Sequence, residues 1–141
     1  MQGFFLNFKK HEVICRQGDP SADIYYLKSG VLLICTVHGT EVKALARINP
    51  GQFIGELSFF DGNPRSTHIV ALEESEIVQI PKNELSELLP VWFLQVGINI
   101  TKKIRLLDTV VNESRIRKFN SQEMKPLTIE DQRILLNAIT H

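Results

Sequence analysis

Cysteine, histidine and any excess of one charge are what this chain has little of. Only two cysteines occur, Cys15 and Cys35, and they lack the paired spacing of a metal site. Both sit in apolar, strand-like runs, which reads as buried free thiols rather than a disulfide. The four histidines, His11, His38, His68 and His141, lack the His-x-His and acidic spacing of a metal-binding barrel. No nucleophile–histidine pair is apparent, so no metal and no catalytic role are expected. Lys and Arg number 16, Asp and Glu also 16, and the formal net charge is zero. No global attraction to nucleic acid or to a membrane surface follows. Long apolar runs are absent too. The longest, around Leu88–Ile100, is interrupted by Pro90, Gln95, Gly97 and Asn99, and falls short of the ~20 residues that span a bilayer. Phe4-Phe5-Leu6, followed closely by Lys9-Lys10, is too short for a signal-peptide core. A soluble, cytoplasmic protein is expected.

What is present divides the chain in two regimes. Up to about residue 81, short β-type runs alternate with turn signals. Glu12–Cys15, Ile24–Lys28, Val31–Val37, Val42–Ile48, Thr67–Leu72 and Glu76–Ile80 read as strands. Between them lie Gln17-Gly18-Asp19-Pro20, Ser29-Gly30, Asn49-Pro50-Gly51 and Asp61-Gly62-Asn63-Pro64. No helix long enough for a parallel crossover separates these runs, so the spacing predicts an antiparallel sandwich or barrel. After Pro81 the period changes. Asn83–Leu89 reads as a short helix, ended by Pro90. A long helix follows from Val91 to about Lys118. Phe93, Gly97, Ile100, Ile104, Leu107, Val111 and Ser114 recur along it at alternating steps of four and three. Trp92, Val96, Leu106 and Val110 form a second stripe. Two stripes exceed what one small barrel covers, so one is expected to pack on the barrel and the other on a second protomer; the alternative is one wide core-facing stripe. The organisation expected is residues 1–118 as a β-domain with its long helix and 119–141 as a helical tail. Thr128-Ile129-Glu130-Asp131 is a helix start, and Ile134, Leu135, Leu136 and Ile139 give that last helix an apolar face.

The densest chemistry lies between residues 53 and 67. Phe53-Ile54-Gly55-Glu56-Leu57-Ser58 opens a short turn or helix, and Arg65-Ser66-Thr67 follows a turn. Arg65 can pair with a phosphate through a rigid fork of donors. Glu56 can accept from a sugar hydroxyl. N–H groups of Leu57 and Ser58 at a helix start can face an anion, and Gly55 allows close backbone approach. Taken singly, Arg65 reads more readily as a solvated strand end than as a ligand contact, and Glu56 reads also as an acid at a helix N-terminus. Asp61-Gly62 reads as a turn rather than a contact.

These residues resemble the phosphate-binding cassette of cyclic nucleotide-binding domains, the family of the bacterial catabolite activator protein and the regulatory subunits of cyclic-AMP-dependent kinase. The match falls on Gly55, Glu56, Leu57, Arg65 and Ser66. It departs at Ile54 and at Thr67, where Ala is common, and neither departure removes a charged contact. Gln17-Gly18-Asp19, Tyr26–Gly30 and Ile48–Gly51 precede the cassette in the family's order, so the resemblance covers about residues 8–115. It implies a β-roll of jelly-roll type with short flanking helices and a long C-terminal helix, and cyclic AMP or cyclic GMP as ligand. Gly55, Glu56, Leu57, Ser58, Arg65, Ser66 and Thr67 would bind the ribose and phosphate. Ile34, Leu45 and Ile48 would supply apolar wall, or else simply core. On the long helix, Asp108 and Thr109 would stand near the base, or else on an exposed surface. The expected function is a cyclic nucleotide sensor, cyclic AMP ahead of cyclic GMP. It would be a homodimer through the long helix and would signal to an effector protein or a further domain. Residues 116–141 are too few for the winged helix-turn-helix of bacterial relatives, so no direct DNA binding is expected. The alternative is a dimerisation or docking module that has lost nucleotide control.

Overall fold

The computed structural model describes residues 3–114 and 126–141, the side chains of 108–114 excepted. Eight strands, β1 (Phe4–Phe8), β2 (Val13–Cys15), β3 (Ile24–Ser29), β4 (Leu32–His38), β5 (Glu41–Ile48), β6 (Phe53–Ile54), β7 (His68–Ala71) and β8 (Ser75–Ile80), form two four-stranded sheets, ordered β1-β8-β3-β6 and β2-β7-β4-β5. Every pairing is antiparallel. This is the antiparallel pairing that the turn spacing predicts and the β-roll that the resemblance implies, with β1 and the two-residue β6 added. Helix α1 (Glu56–Asp61) interrupts the strands; α2 (Lys82–Leu88), α3 (Val91–Ser114) and α4 (Ile129–Thr140) follow them.

The two sheets enclose a core of Cys15, Tyr25, Leu27, Leu32, Ile54, Ile69, Ala71 and Ile77. The β2-β7-β4-β5 sheet is covered on its outer face as well. Leu33, Cys35, Val42 and Val70 point there and meet Leu135 and Ile139 of α4. A sheet buried on both faces needs continuous apolar runs instead of alternation, which is why Leu32-Leu33-Ile34-Cys35 and Ile69-Val70-Ala71 carry no polar break. The tail helix therefore buries its apolar face on its own domain. Thr128 caps it, accepting from the Asp131 N–H at 3.1 Å. The boundary expected at 118/119 lies outside the described residues.

The long helix departs from its expected packing. Gly97 and Thr101 are buried, and Leu94, Ile98 and Arg105 are half-buried. Trp92 is 67% exposed, Val96 48%, Ile100 51%, Leu106 65% and Leu107 62%. The second stripe thus faces outward over the described side chains, whereas the first divides: Gly97 is buried and Phe93 lies beside the Phe60 ring, while Ile100 and Leu107 face out. Gly97, Thr101, Leu94, Ile98 and Arg105 hold the helix. The reason is steric. The Phe60 ring of α1 lies where a Cβ on Gly97 would project, so the smallest residue makes the closest contact.

Candidate functional site

Gly55 ends β6 in the left-handed conformation, with φ 91°. A Cβ there would lie 2.5 Å from Arg65 Nη1 and 2.8 Å from the Asp23 carbonyl oxygen, so only glycine fits the turn. The chain then enters α1, whose first N–H groups lack intrahelical partners. Gly62 closes the helix in the left-handed region and donates to Ser58 O at 2.9 Å. Asn63 and Pro64 carry the chain on to Arg65. Gly55 and Arg65 thereby meet in the lining of a cavity of about 320 Å³, at the lower end of the roughly 300–1,000 Å³ typical of small-ligand pockets.

Arg65 is 5% exposed. Its Nη1 donates to Gly55 O at 3.1 Å and its Nη2 to Asp23 O, with the Ser21 hydroxyl 3.5 Å away. Its guanidinium carbon stands 5.5 Å above the Tyr25 ring. The neighbours that aim it are thus carbonyls and an aromatic face. The salt bridges among the described residues do not include Arg65, and its buried Nε–H has no hydrogen-bond partner. A buried cation without a counter-charge is costly. The donor that remains free is one that an anionic ligand would satisfy.

Glu56 sits at the mouth of the cavity. Its side chain keeps considerable solvent exposure overall, yet the protein around the carboxyl crowds it. Burial pushes its pKa above the usual 4.5, opposed by its own backbone N–H and by the charge of Arg65. Ser58 is buried, Ser66 exposed and Thr67 half-buried, and all three line the cavity with Leu57. The wall opposite is apolar. Cys15, Ile69 and Ile34 fall in one cross-strand row on β2, β7 and β4, joined by Ile48 and Ile54. Burial pushes the Cys15 thiol up to about 11, so it is a neutral apolar surface at ordinary pH.

The expected site residues therefore converge, with three exceptions. Leu45 is the extra residue of a β-bulge opposite Ile34 and Cys35, and it does not line the cavity. The side chains of Asp108 and Thr109 lie outside the described residues. Conversely, Cys15, Tyr25 and Ile69 line the cavity from outside the cassette, and Phe53 and Ile54, which open it, line the cavity too. The unbroken apolar run Ile69-Val70-Ala71 gave no alternation to mark which residue faces the cavity, and for Tyr25, adjacent in sequence to Tyr26, nothing distinguished the inward ring. Asp61 also does more than turn the chain. Its carboxylate accepts from Arg105 Nε at 2.8 Å and Nη2 at 3.3 Å, joining the end of α1 to α3. Burial would raise its pKa, but the bonds from Arg105 and Asn63 outweigh that and hold it below 3.8.

A model of the cyclic nucleotide-binding domain matches residues 5–90. The chain belongs to the cyclic nucleotide-binding domain family. It is 31% identical over 96 residues to the Cyclic AMP receptor protein of Thermus thermophilus, covering 65% of this chain and 44% of that one. It is 25% identical over 138 residues to the CRP-like protein Clp of Xanthomonas oryzae, covering 91% of this chain and 59% of that one. The chain thus spans about half the length of these curated relatives. Its fold matches the cAMP-bound form of the EAL enzyme Bd1971, with TM-score 0.67 and 20% identity over 81% of this chain and 31% of that one. Among the described residues no helix is long and apolar enough to cross a membrane.

Proposed function

We propose that this chain senses a cyclic mononucleotide, cyclic AMP ahead of cyclic GMP, and signals by repositioning α3. The observation that carries the reading is Arg65: a buried cation in the lining of the cavity, outside every ion pair of the described residues, with a buried Nε–H that has no partner. A cyclic phosphate would satisfy that donor together with the first N–H groups of α1 and the Ser66 hydroxyl. Glu56 would accept from the ribose 2′-hydroxyl. The base would lie along Ile34, Ile48 and Ile69, toward α3, where Asp108 and Thr109 are proposed to meet it. The order of the two nucleotides follows the relative named Cyclic AMP receptor protein.

The route outward is short. Phosphate at Arg65 bears on α1, and α1 holds α3 through Phe60 on Gly97, Phe60 near Phe93 at 6.4 Å between centroids, and Asp61 with Arg105. A ligand that prefers one placement of α1 therefore biases α3 between two packings, by no more than its difference in affinity for them. In this reading the chain is a cytoplasmic regulator and not an enzyme, pairs with a second copy through α3, and acts on an effector protein or a further domain. The exposed stripes of α3 also support a second reading, a docking module without nucleotide control, against which the cavity and Arg65 argue.

The test is the thermal midpoint with cyclic AMP, cyclic GMP and linear AMP. At a hundred times its dissociation constant a ligand adds about 2.7 kcal/mol, a rise of roughly 5–10 °C for a chain of this size. The rise is expected with the cyclic nucleotides, largest with cyclic AMP, and not with Arg65→Ala. No rise at millimolar concentration leaves the docking module.

A further inference from the structure

Helix α4 is tied to the β-roll at both ends, and one tie leads back to Arg65. Near its start, the Gln132 side chain accepts from Val42 N–H at 3.3 Å. At its end, Arg16 Nε donates to the Ile139 carbonyl at 3.2 Å. That carbonyl belongs to the last turn, where helical acceptors lack intrahelical partners. The last turn of α4 carries no basic residue of its own, so Arg16 supplies from outside the cation that a helix C-terminus favours.

Arg16 opens a turn that is bonded to the backbone of Arg65. Gly18 N–H donates to Arg65 O at 2.8 Å, and Arg65 N–H donates to Asp19 O at 2.9 Å. Within the turn, Arg16 N–H donates to the Asp19 carboxylate at 2.8 Å and Asp19 N–H to Arg16 O at 3.0 Å. Gln17 N–H donates to His68 Nδ1 at 3.2 Å, three residues beyond Arg65 on the same segment. The residue whose side chain faces the cavity thus shares its backbone bonds with the turn that clamps α4.

We propose that the 16–19 turn couples nucleotide binding to the docking of α4, giving the domain a second output besides α3. A ligand that fixes Arg65 also fixes the turn, holds Arg16 on the Ile139 carbonyl and favours the docked helix. Loss of ligand loosens that clamp and exposes the apolar face of Leu33, Cys35, Val42 and Val70. This rests on the nucleotide reading above.

The two native thiols separate the two events. Cys15 lines the cavity, whereas Cys35 lies fully buried under α4. The full chain is labelled with a thiol reagent, with and without cyclic AMP, and each cysteine is followed by peptide mass spectrometry alongside the whole-chain unfolding rate. The ligand is expected to protect Cys15 directly and to slow Cys35 labelling about tenfold, a mid-range coupling. Arg16→Ala keeps the protection of Cys15 and loses that of Cys35; Arg16→Gln, a milder change, does the same and guards against a folding defect. Protection of Cys15 with unchanged Cys35 overturns the coupling. So does equal protection of Cys35 in the variants, or Cys35 labelling no faster than global unfolding. Protection at neither thiol removes the nucleotide site and the coupling together.

Discussion

Glu56 and Arg65 share one cavity but face opposite electrostatic problems. Arg65 is buried and its charge is held by carbonyl oxygens, an aromatic face and no acid within ion-pair distance. Glu56 keeps solvent at its edge while burial raises its pKa above 4.5. In the unliganded chain that shift favours the protonated form, so its contribution to stability is present below 4.5 and is lost as pH rises through the raised value. In the proposed ribose contact the ligand would reverse the preference, because a carboxylate is a stronger acceptor than a neutral carboxyl, whereas a cyclic phosphodiester keeps its charge throughout this range. Nucleotide affinity is therefore expected to fall as pH drops from neutral toward 4.5, with the loss starting above 4.5. In Glu56→Gln the affinity is weaker at neutral pH and flat over the same window. Titration of the dissociation constant against pH checks this, and a flat wild-type profile would remove Glu56 from the ribose contact.

Between elements, small residues decide what apolar ones do not. Helix α3 is anchored by Gly97 and Thr101, and by Arg105 on Asp61, while Trp92, Val96, Ile100, Leu106 and Leu107 stay outside. Gly97→Val would push a branched side chain into the Phe60 ring, and overpacking of this kind costs about 1–3 kcal/mol. Chemical denaturation is expected to show that loss, and Phe60→Ala in the same chain is expected to recover part of it. Simple additivity of the two substitutions would show that the ring and the glycine do not meet. Asp61 belongs to the same link. Its lowered pKa means that the ion pair contributes above pH 3.8 and is lost as pH falls through the depressed value.

For the whole molecule, the apolar face of α3 is left uncovered among the described residues. Trp92, Val96, Ile100, Leu106 and Leu107 expose between 48% and 67% of their surface along one helix, and exposed patches of this kind mark interaction sites. Sedimentation equilibrium is expected to give twice the mass of the chain, and Val96→Glu with Leu106→Glu to give the monomer with the fold retained. A wild-type monomer at high micromolar concentration would assign the face to another partner.

Much of this was legible in the amino-acid order. Turn residues every few positions, and strands too short and close for crossovers, determined an antiparallel sandwich or barrel; the resemblance of the cassette narrowed it to a roll. The spacing of Gly55, Glu56 and Arg65 determined the character of the cavity, because a left-handed glycine, a helix start and a fork of donors are local features. The apolar periodicity of 91–107 determined a helix but not its contacts, since hydrophobicity counts large residues and the anchoring contact is a glycine under an aromatic ring. Tertiary structure alone decided that Tyr25 lies beneath Arg65, that Leu45 falls on a bulge outside the cavity, and that the tail helix closes the outer face of its own sheet. Each of those depends on register between segments distant in the chain, and register is set when strands pair, not by any single stretch of sequence.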